Sequence, residues 1–260
     1  MNPNLFDSLP IAGFYIIAAI LMLAFGEIGY QLGVRAQSRQ DKEAPASLGP
    51  MVGGLLGMLA FVLAFTFSMA SSQHDLRKQN VLEEANSIGT AYLRTDLIDE
   101  PYNIEVKRLL REYVDVRLMA TSGSDLDAAL AKSVEIHHLI WTQGSAAARQ
   151  SPSTNTSLMI QSINDVIDMH EKRVTGALRN RIPTSVWLSL VAITALTMIT
   201  MGTQVGLTGR RRLVAVIPLV LAFSALVTLV VDLNRPQSGL ITVGQQSMIN
   251  LQSSMAHDTE

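Results

Sequence analysis

The sequence predicts an all-α, four-span helical membrane protein with a helical extramembrane domain between spans two and three. Three observations carry that reading. Charged residues make up only 16% of the 260 residues, against about 25% in an average soluble domain. The missing charge is concentrated in four stretches, 11–26, 48–73, 182–209 and 213–231, which hold no Asp, Glu, Lys or Arg. A helix crosses a bilayer with about 20 apolar residues. Between the second and third stretches, apolar side chains recur at spacings of three and four, and no segment of useful length alternates with a period of two. This composition excludes an ordinary soluble enzyme. The balance of 20 Lys+Arg against 22 Asp+Glu, with no basic stripe, argues against nucleic-acid binding. The absence of cysteine excludes disulfides, thiol catalysis and cysteine-held metal centres.

The first span is expected over residues 10–34 and contains one carboxylate, Glu27. It reads as a retained span rather than a cleaved signal peptide, because residues 1–10 carry no Lys or Arg. A short basic loop, 35–47, leads to the second span, 48–73. The third span is expected over 182–207, after Pro183, with Trp187 placed as an interfacial anchor. A second basic loop, 208–212, precedes the fourth span, 213–231. That span contains Pro218 near its start, where a missing N–H costs least. Residues 232–260 form a C-terminal tail. Arg35, Arg39 and Lys42 in one loop and Arg210, Arg211 and Arg212 in the other put six basic residues on one side of the membrane; the opposite short segments hold Arg235 alone. The positive-inside rule then makes both loops cytosolic, and both termini and the 74–181 domain periplasmic, in a bacterial inner membrane.

The 74–181 domain reads as four helices. Val81, Ala85, Ile88 and Tyr92 form a helical seam. No turn signal separates that seam from the second span, so one long helix is expected, ending before Pro101. Val106, Leu109, Leu110, Tyr113 and Val116 repeat the pattern. After a turn at 121–124, Asp125 is placed to cap a helix carrying Leu126, Leu130, Val134, His137 and Trp141. Residues 149–157 read as a loop. The last helix, about 157–181, carries Ile163, Val166 or Ile167, His170, Val174 and Leu178.

The stretch FVLAFTFSMASSQHDLRKQNVLEEANSIGTAYLRTDLI (61–98) closely resembles the signature of the bestrophin-like domain family. LLREYVDVRL (109–118), GRRR (209–212) and DLNRPQSGLITVGQQSMINL (232–251) resemble further motifs of that family, in the family's order. The resemblance covers nearly the whole chain and implies a multi-pass membrane protein. Through true bestrophins, which are pentameric chloride-conducting channels, it implies a homo-oligomer, a pentamer by analogy only. Bestrophins keep the large helical region in the cytosol, whereas the basic loops here argue the reverse. Their acidic calcium-binding cluster has no counterpart, since Asp232 stands alone until Asp258.

Gly57, Phe61, Phe65 and Met69 recur every four residues on the second span, and Thr66 and Ser68 are polar at depth. In bestrophins, apolar residues at comparable spacing line a narrow pore neck, so Phe61 and Phe65 are gate candidates. Lipid contact or helix packing explains the same face as well. Gly49, Gly53 and Gly57 form a double GxxxG, a packing face within or between subunits. Glu27 is the intramembrane acid; it either serves a site or reaches the interface or Arg35. Glu83 and Glu84 point about 100° apart on a helix. One is expected to pair with Arg111 or Arg117, the other to face a vestibule. Glu135 and His138 make a single Glu-x-x-His, and His170 has Ile167 where a second glutamate belongs, so no metal site is expected. His137 reads as a core histidine. No nucleotide-binding or hydrolase motif is present. The sequence therefore points to a non-enzymatic, cofactor-free oligomeric channel in the lipid bilayer, with its conduction path along the second span. The alternative is a membrane-anchored sensor or assembly protein whose extramembrane helices bind a partner.

Overall fold

The structure is a computed structural model describing residues 9–38, 47–120, 125–178, 180–208, 213–235 and 239–258. Among them all regular structure is helical. The helices are α1 (Ile11–Gln37), α2 (Gly49–Arg94), α3 (Tyr102–Met119), α4 (Leu126–Gln150), α5 (Thr154–Leu178), α6 (Thr184–Thr208), α7 (Leu213–Asn234) and α8 (Gln246–His257), with a 3-10 turn at Thr95–Leu97. Four of them, α1, α2, α6 and α7, contain a segment long and apolar enough to cross a membrane. The chain divides into two compact units, Met1–His74 with Arg181–Thr242, and Asp75–Asn180 with Val243–Glu260. Arg39, Lys42 and Arg210–Arg212, on which the expected orientation rests, and the turn at 121–124 lie outside the described residues.

In the first unit, α1 and α6 touch backbone to backbone. A Cβ at Gly29 would overlap the Ile199 carbonyl, and one at Gly202 would overlap the Gly26 carbonyl. Gly33 and Gly206 meet the facing backbone in the same way, one turn on. Lipid tails are as apolar as leucine, so close packing of this kind is what holds membrane helices together. The core beside this seam contains Met22, Leu59, Leu63, Ala70, Leu190, Met198 and Val220. Gln204 accepts a hydrogen bond from Leu48 N at 2.5 Å, and the Thr197 hydroxyl donates to the Leu55 carbonyl at 3.4 Å. The segment after α7 is not a bare tail. The buried Asp232 carboxylate accepts from Leu240 N (2.9 Å) and Ile241 N (3.0 Å). Gly239, at φ 147°, keeps a Cβ out of that carboxylate. Arg235 donates to the Leu9 carbonyl and lies over the Phe14 ring.

The second unit is built from the expected seams with three differences. Val81, Ala85, Ile88 and Tyr92 are all buried, as are Val106, Leu109, Leu110 and Tyr113. Asp125 caps α4 by accepting from Asp127 N and Ala128 N. The buried face of α4, however, is Ser133, Ile136, His137, Ile140, Gly144 and Ala147, while Val134 and Trp141 are exposed. Gly144 decides this. It lets α5 approach until the Ile163 and Ile160 side chains stand where a Cβ would be. The loop expected at 149–157 shrinks to three residues. Ser153 and Thr156 exchange hydrogen bonds, N–H to hydroxyl in both directions, and so start α5 at Thr154. Finally, residues 246–257 form α8, whose Met248 and Met255 are fully buried in the core of this unit.

Gly29→Ala is expected to lower stability by about 1–3 kcal/mol, because the new methyl forces two backbones apart. Gly54→Ala, outside the Gly49/Gly53/Gly57 series and with nothing within 4 Å of an added Cβ, is expected to leave it unchanged or raise it by up to about 1 kcal/mol. Thermal unfolding of the two purified variants in one detergent measures the contrast.

Candidate functional site

Two places collect the residues singled out in the sequence. The first is the membrane part of α2. Leu59, Leu63, Thr66 and Ala70 are buried and form its inner face. Phe61 and Phe65 are 73% and 59% exposed, and the four-residue series they share includes exposed Gly57 and half-buried Met69. Gly49, Gly53 and Gly57 are exposed too, and among the described residues nothing lies within 4 Å of a Cβ added at Gly53 or Gly57. Among the described residues of the first unit, the glycines that pack one helix on another are those of α1 and α6. Thr66 does not share the phenylalanine face. It is fully buried, and its hydroxyl donates to the Val62 carbonyl one turn back at 2.7 Å. Ser68 is exposed. Glu27, on α1, is exposed and accepts from Gln31 Nε2 at 3.4 Å.

The second place is a charged cluster inside the second unit. Glu84, with no exposed surface, lies between two buried guanidiniums. Arg117 of α3 brings Nε to 3.0 Å from Oε1, and Arg173 of α5 pairs with Oε2. The Tyr113 hydroxyl donates to Glu84 Oε1 at 2.7 Å. With its proton committed there, the Tyr113 oxygen accepts from His170 Nδ1 at 3.0 Å, which assigns the Nδ1–H tautomer to His170. The His137 ring packs edge-on against His170, with centroids 4.8 Å apart, and its buried Nε2 has no hydrogen-bond partner among the described residues. Arg173 also donates to Gln245, just before α8. One carboxylate thus links α2, α3 and α5, and through Arg173 the start of α8.

The electrostatics follow from burial. Burial alone would push the Glu84 carboxyl up, but the charges of Arg117 and Arg173 and two hydrogen bonds outweigh it and hold the carboxyl below its ordinary value. Burial, then the Glu84 charge, pushes Tyr113 well up. Burial and the neighbouring His170 bring His137 down to about 3. Burial and the Arg117 charge bring His170 down to about 4. Both rings are neutral at pH 7. Glu83 is paired as well, with Lys172, and that hydrogen bond lowers its carboxyl. Of the two expected partners for the glutamates, Arg117 takes Glu84, while Arg111 donates to the Tyr92 hydroxyl. Glu135 pairs with Lys132, and His138 is exposed. Among the described residues no three metal-capable side chains converge.

A family model described as the bestrophin-like domain matches residues 18–248, from α1 into α8. The chain belongs to the bestrophin-like domain family. The match takes in the α2 face and every member of the Glu84 cluster. No curated protein and no solved structure matches the chain. Sequence reasoning on this bestrophin-like chain picked out Glu84 and Arg117 but missed Arg173, Tyr113 and His170 as their partners. A signal was present: Arg117 follows Tyr113 by four residues and Arg173 follows His170 by three, so each places a charge on an otherwise apolar helix face.

Glu84→Gln is expected to cost about 3–5 kcal/mol, because it leaves two buried guanidiniums without a counter-charge. Glu83→Gln at the surface should cost less than about 1 kcal/mol. The histidines set a pH dependence with a definite sign. Unfolded, they titrate near 6.5; folded, at about 3 and about 4. The unfolded chain therefore holds more protons between those values. Stability is full above pH 6.5 and falls as the pH drops towards 4, by up to about 1.4 kcal/mol per pH unit for each histidine. His137→Phe should move the midpoint of acid unfolding, followed by circular dichroism, to lower pH.

Proposed function

We propose that this protein forms an oligomeric ion channel of a bacterial inner membrane, with α2 of several subunits around the conduction path. The observation that carries the reading is the uncovered α2 face. Gly53 and Gly57 are open to a neighbour, Gly49 on the same series is exposed, and the large rings of Phe61 and Phe65 project from the chain. Small residues on a membrane helix let another helix come close. A ring of phenylalanines at one level of an assembly makes a hydrophobic constriction that gates by dewetting. Four spanning helices leave little room for a pore inside one subunit, so the assembly is part of the proposal; a pentamer follows only by analogy with bestrophins. In this reading α2 continues as one helix from the membrane into the extramembrane unit. That unit and both termini are periplasmic, as the basic loops indicate. Glu83 is engaged by Lys172, which leaves it less suited to attract ions in a vestibule.

A second reading, a membrane-anchored sensor or assembly protein, draws on the extramembrane unit. Leu82, Leu93, Ile104, Met119 and Trp141 there are large, apolar and exposed. Such residues suit a protein partner.

The deciding measurement is the current through purified protein in a planar bilayer under a KCl gradient. The channel reading expects a steady current with a defined reversal potential, and Phe61→Ala is expected to raise the conductance. In the cysteine-free background, Ser68→Cys should react with aqueous thiol reagents while Thr66→Cys stays protected. No current from folded, inserted protein, together with protection of Ser68→Cys, would shift the conclusion to the partner-binding reading.

A further inference from the structure

The turn that follows α7 carries an apolar side chain for which the channel reading has no use. Leu240 is 85% exposed, more than any other large apolar residue among those described. We propose that Leu240 is a lipid anchor, held by the turn at residues 239–241 in the boundary between headgroups and acyl chains of the bilayer.

Hydrogen bonds between span ends fix the level of this turn. α7 ends at Asn234, and Asn234 Oδ1 accepts from Ile182 N at 3.1 Å, just before α6. Arg235 donates to the Leu9 carbonyl at 2.6 Å, just before α1. Three membrane-capable helices of the first unit therefore begin or end at one level. A helix that spans the hydrocarbon core ends near its polar boundary, so that level marks the boundary. The turn is tied to the same level. Asp232, in the last turn of α7, accepts from Leu240 N and Ile241 N. Ile241 packs half-buried against the core of the spanning helices, as does Trp187, a residue type enriched at membrane interfaces.

A single exposed leucine is ordinary on a surface that faces water. This one is held out by a built structure. The Asp232 carboxylate is buried and engages two backbone amides for the sake of the turn. Gly239, at φ 147°, takes a conformation that side chains resist, and a Cβ there would stand 2.0 Å from Asp232 Oδ1. In the resulting geometry Ile241 rests on the helices and Leu240 stands clear. The segment GLITVG (239–244) has no Asp, Glu, Lys or Arg, so entry of its tip into the acyl boundary strands no charge. Apolar surface placed there leaves water for hydrocarbon, which is favourable.

The test uses the full-length protein in lipid nanodiscs. The cysteine-free chain lets Leu240→Cys carry a single environment-sensitive fluorophore, and Ala131→Cys, at an exposed position of α4, serves as the reference in water. Emission from position 240 is expected to lie to the blue of the reference and to resist iodide, which quenches the reference. Interfacial apolar groups reach about 5–10 Å into the headgroup and acyl boundary, so a nitroxide high on the acyl chain is expected to quench position 240 more than one at the chain end. Gly239→Ala in the labelled background should disrupt the turn and restore quenching by iodide. Helix content and elution volume check that each variant is folded. Iodide quenching of position 240 at the level of the reference would overturn the proposal by placing the side chain in water. Protection from both quenchers, with disulfide-linked dimers of unlabelled Leu240→Cys, would overturn it by assigning the turn to a second copy of the chain. Lipid quenching unchanged by Gly239→Ala would overturn the holding role of the turn.

Discussion

A carboxylate buried without water is unstable unless charge and hydrogen bonds replace its hydration. Glu84 meets that constraint by drawing on α3 and α5 at once, and the second unit is organised around the result. Arg117 and Arg173 must point inward to reach it, which sets the rotation of both helices about their axes. Tyr113 and His170 then complete the hydrogen-bonding, and Gln245 ties the approach to α8 to the same arginine. An apolar core tolerates slippage of helices with similar faces; a buried ion pair does not, because a shift of one residue strands a charge.

The membrane unit is held by a different force. Water is not there to drive apolar groups together, so helix contact depends on how closely backbones approach. The chain uses glycine for this twice, with opposite outcomes. On α1 and α6, glycines interlock and the contact is complete within one chain. On α2, Gly53 and Gly57, at a similar spacing, face open space among the described residues. The first set explains the stability of the unit, and the second is where a channel assembly of this bestrophin-like protein would form.

Much of the candidate site was legible before any coordinates. Phe61, Phe65, Glu83, Glu84 and Arg117 were singled out from spacing, charge and resemblance. The placement of Thr66 was not, since a polar residue one position from Phe65 looks like part of the same surface. One residue is 100° of rotation on a helix, enough to move its hydroxyl from the open face to the buried one. The α4 face was misread for a related reason. Val134 and Trp141 and the pair Ile136 and Ile140 both fit a helical period, and only the close approach at Gly144 selects between them. The C-terminal helix was missed because its buried face rests on two methionines, Met248 and Met255, in a segment where Asn, Gln and Ser outnumber apolar residues.

Sequence alone determined that the chain is helical, that four segments are apolar enough to cross a membrane, and which faces of α3 and of the 81–92 stretch of α2 turn inward. These properties depend on composition and on periods of three and four, which local physics enforces residue by residue. Tertiary structure alone decided which glycines pack and which stay open, which arginine meets Glu84, and that residues after Asp232 fold back onto named partners. Those outcomes depend on distances between residues far apart in the chain, such as Glu84 and Arg173, and no local pattern encodes how near two helices come.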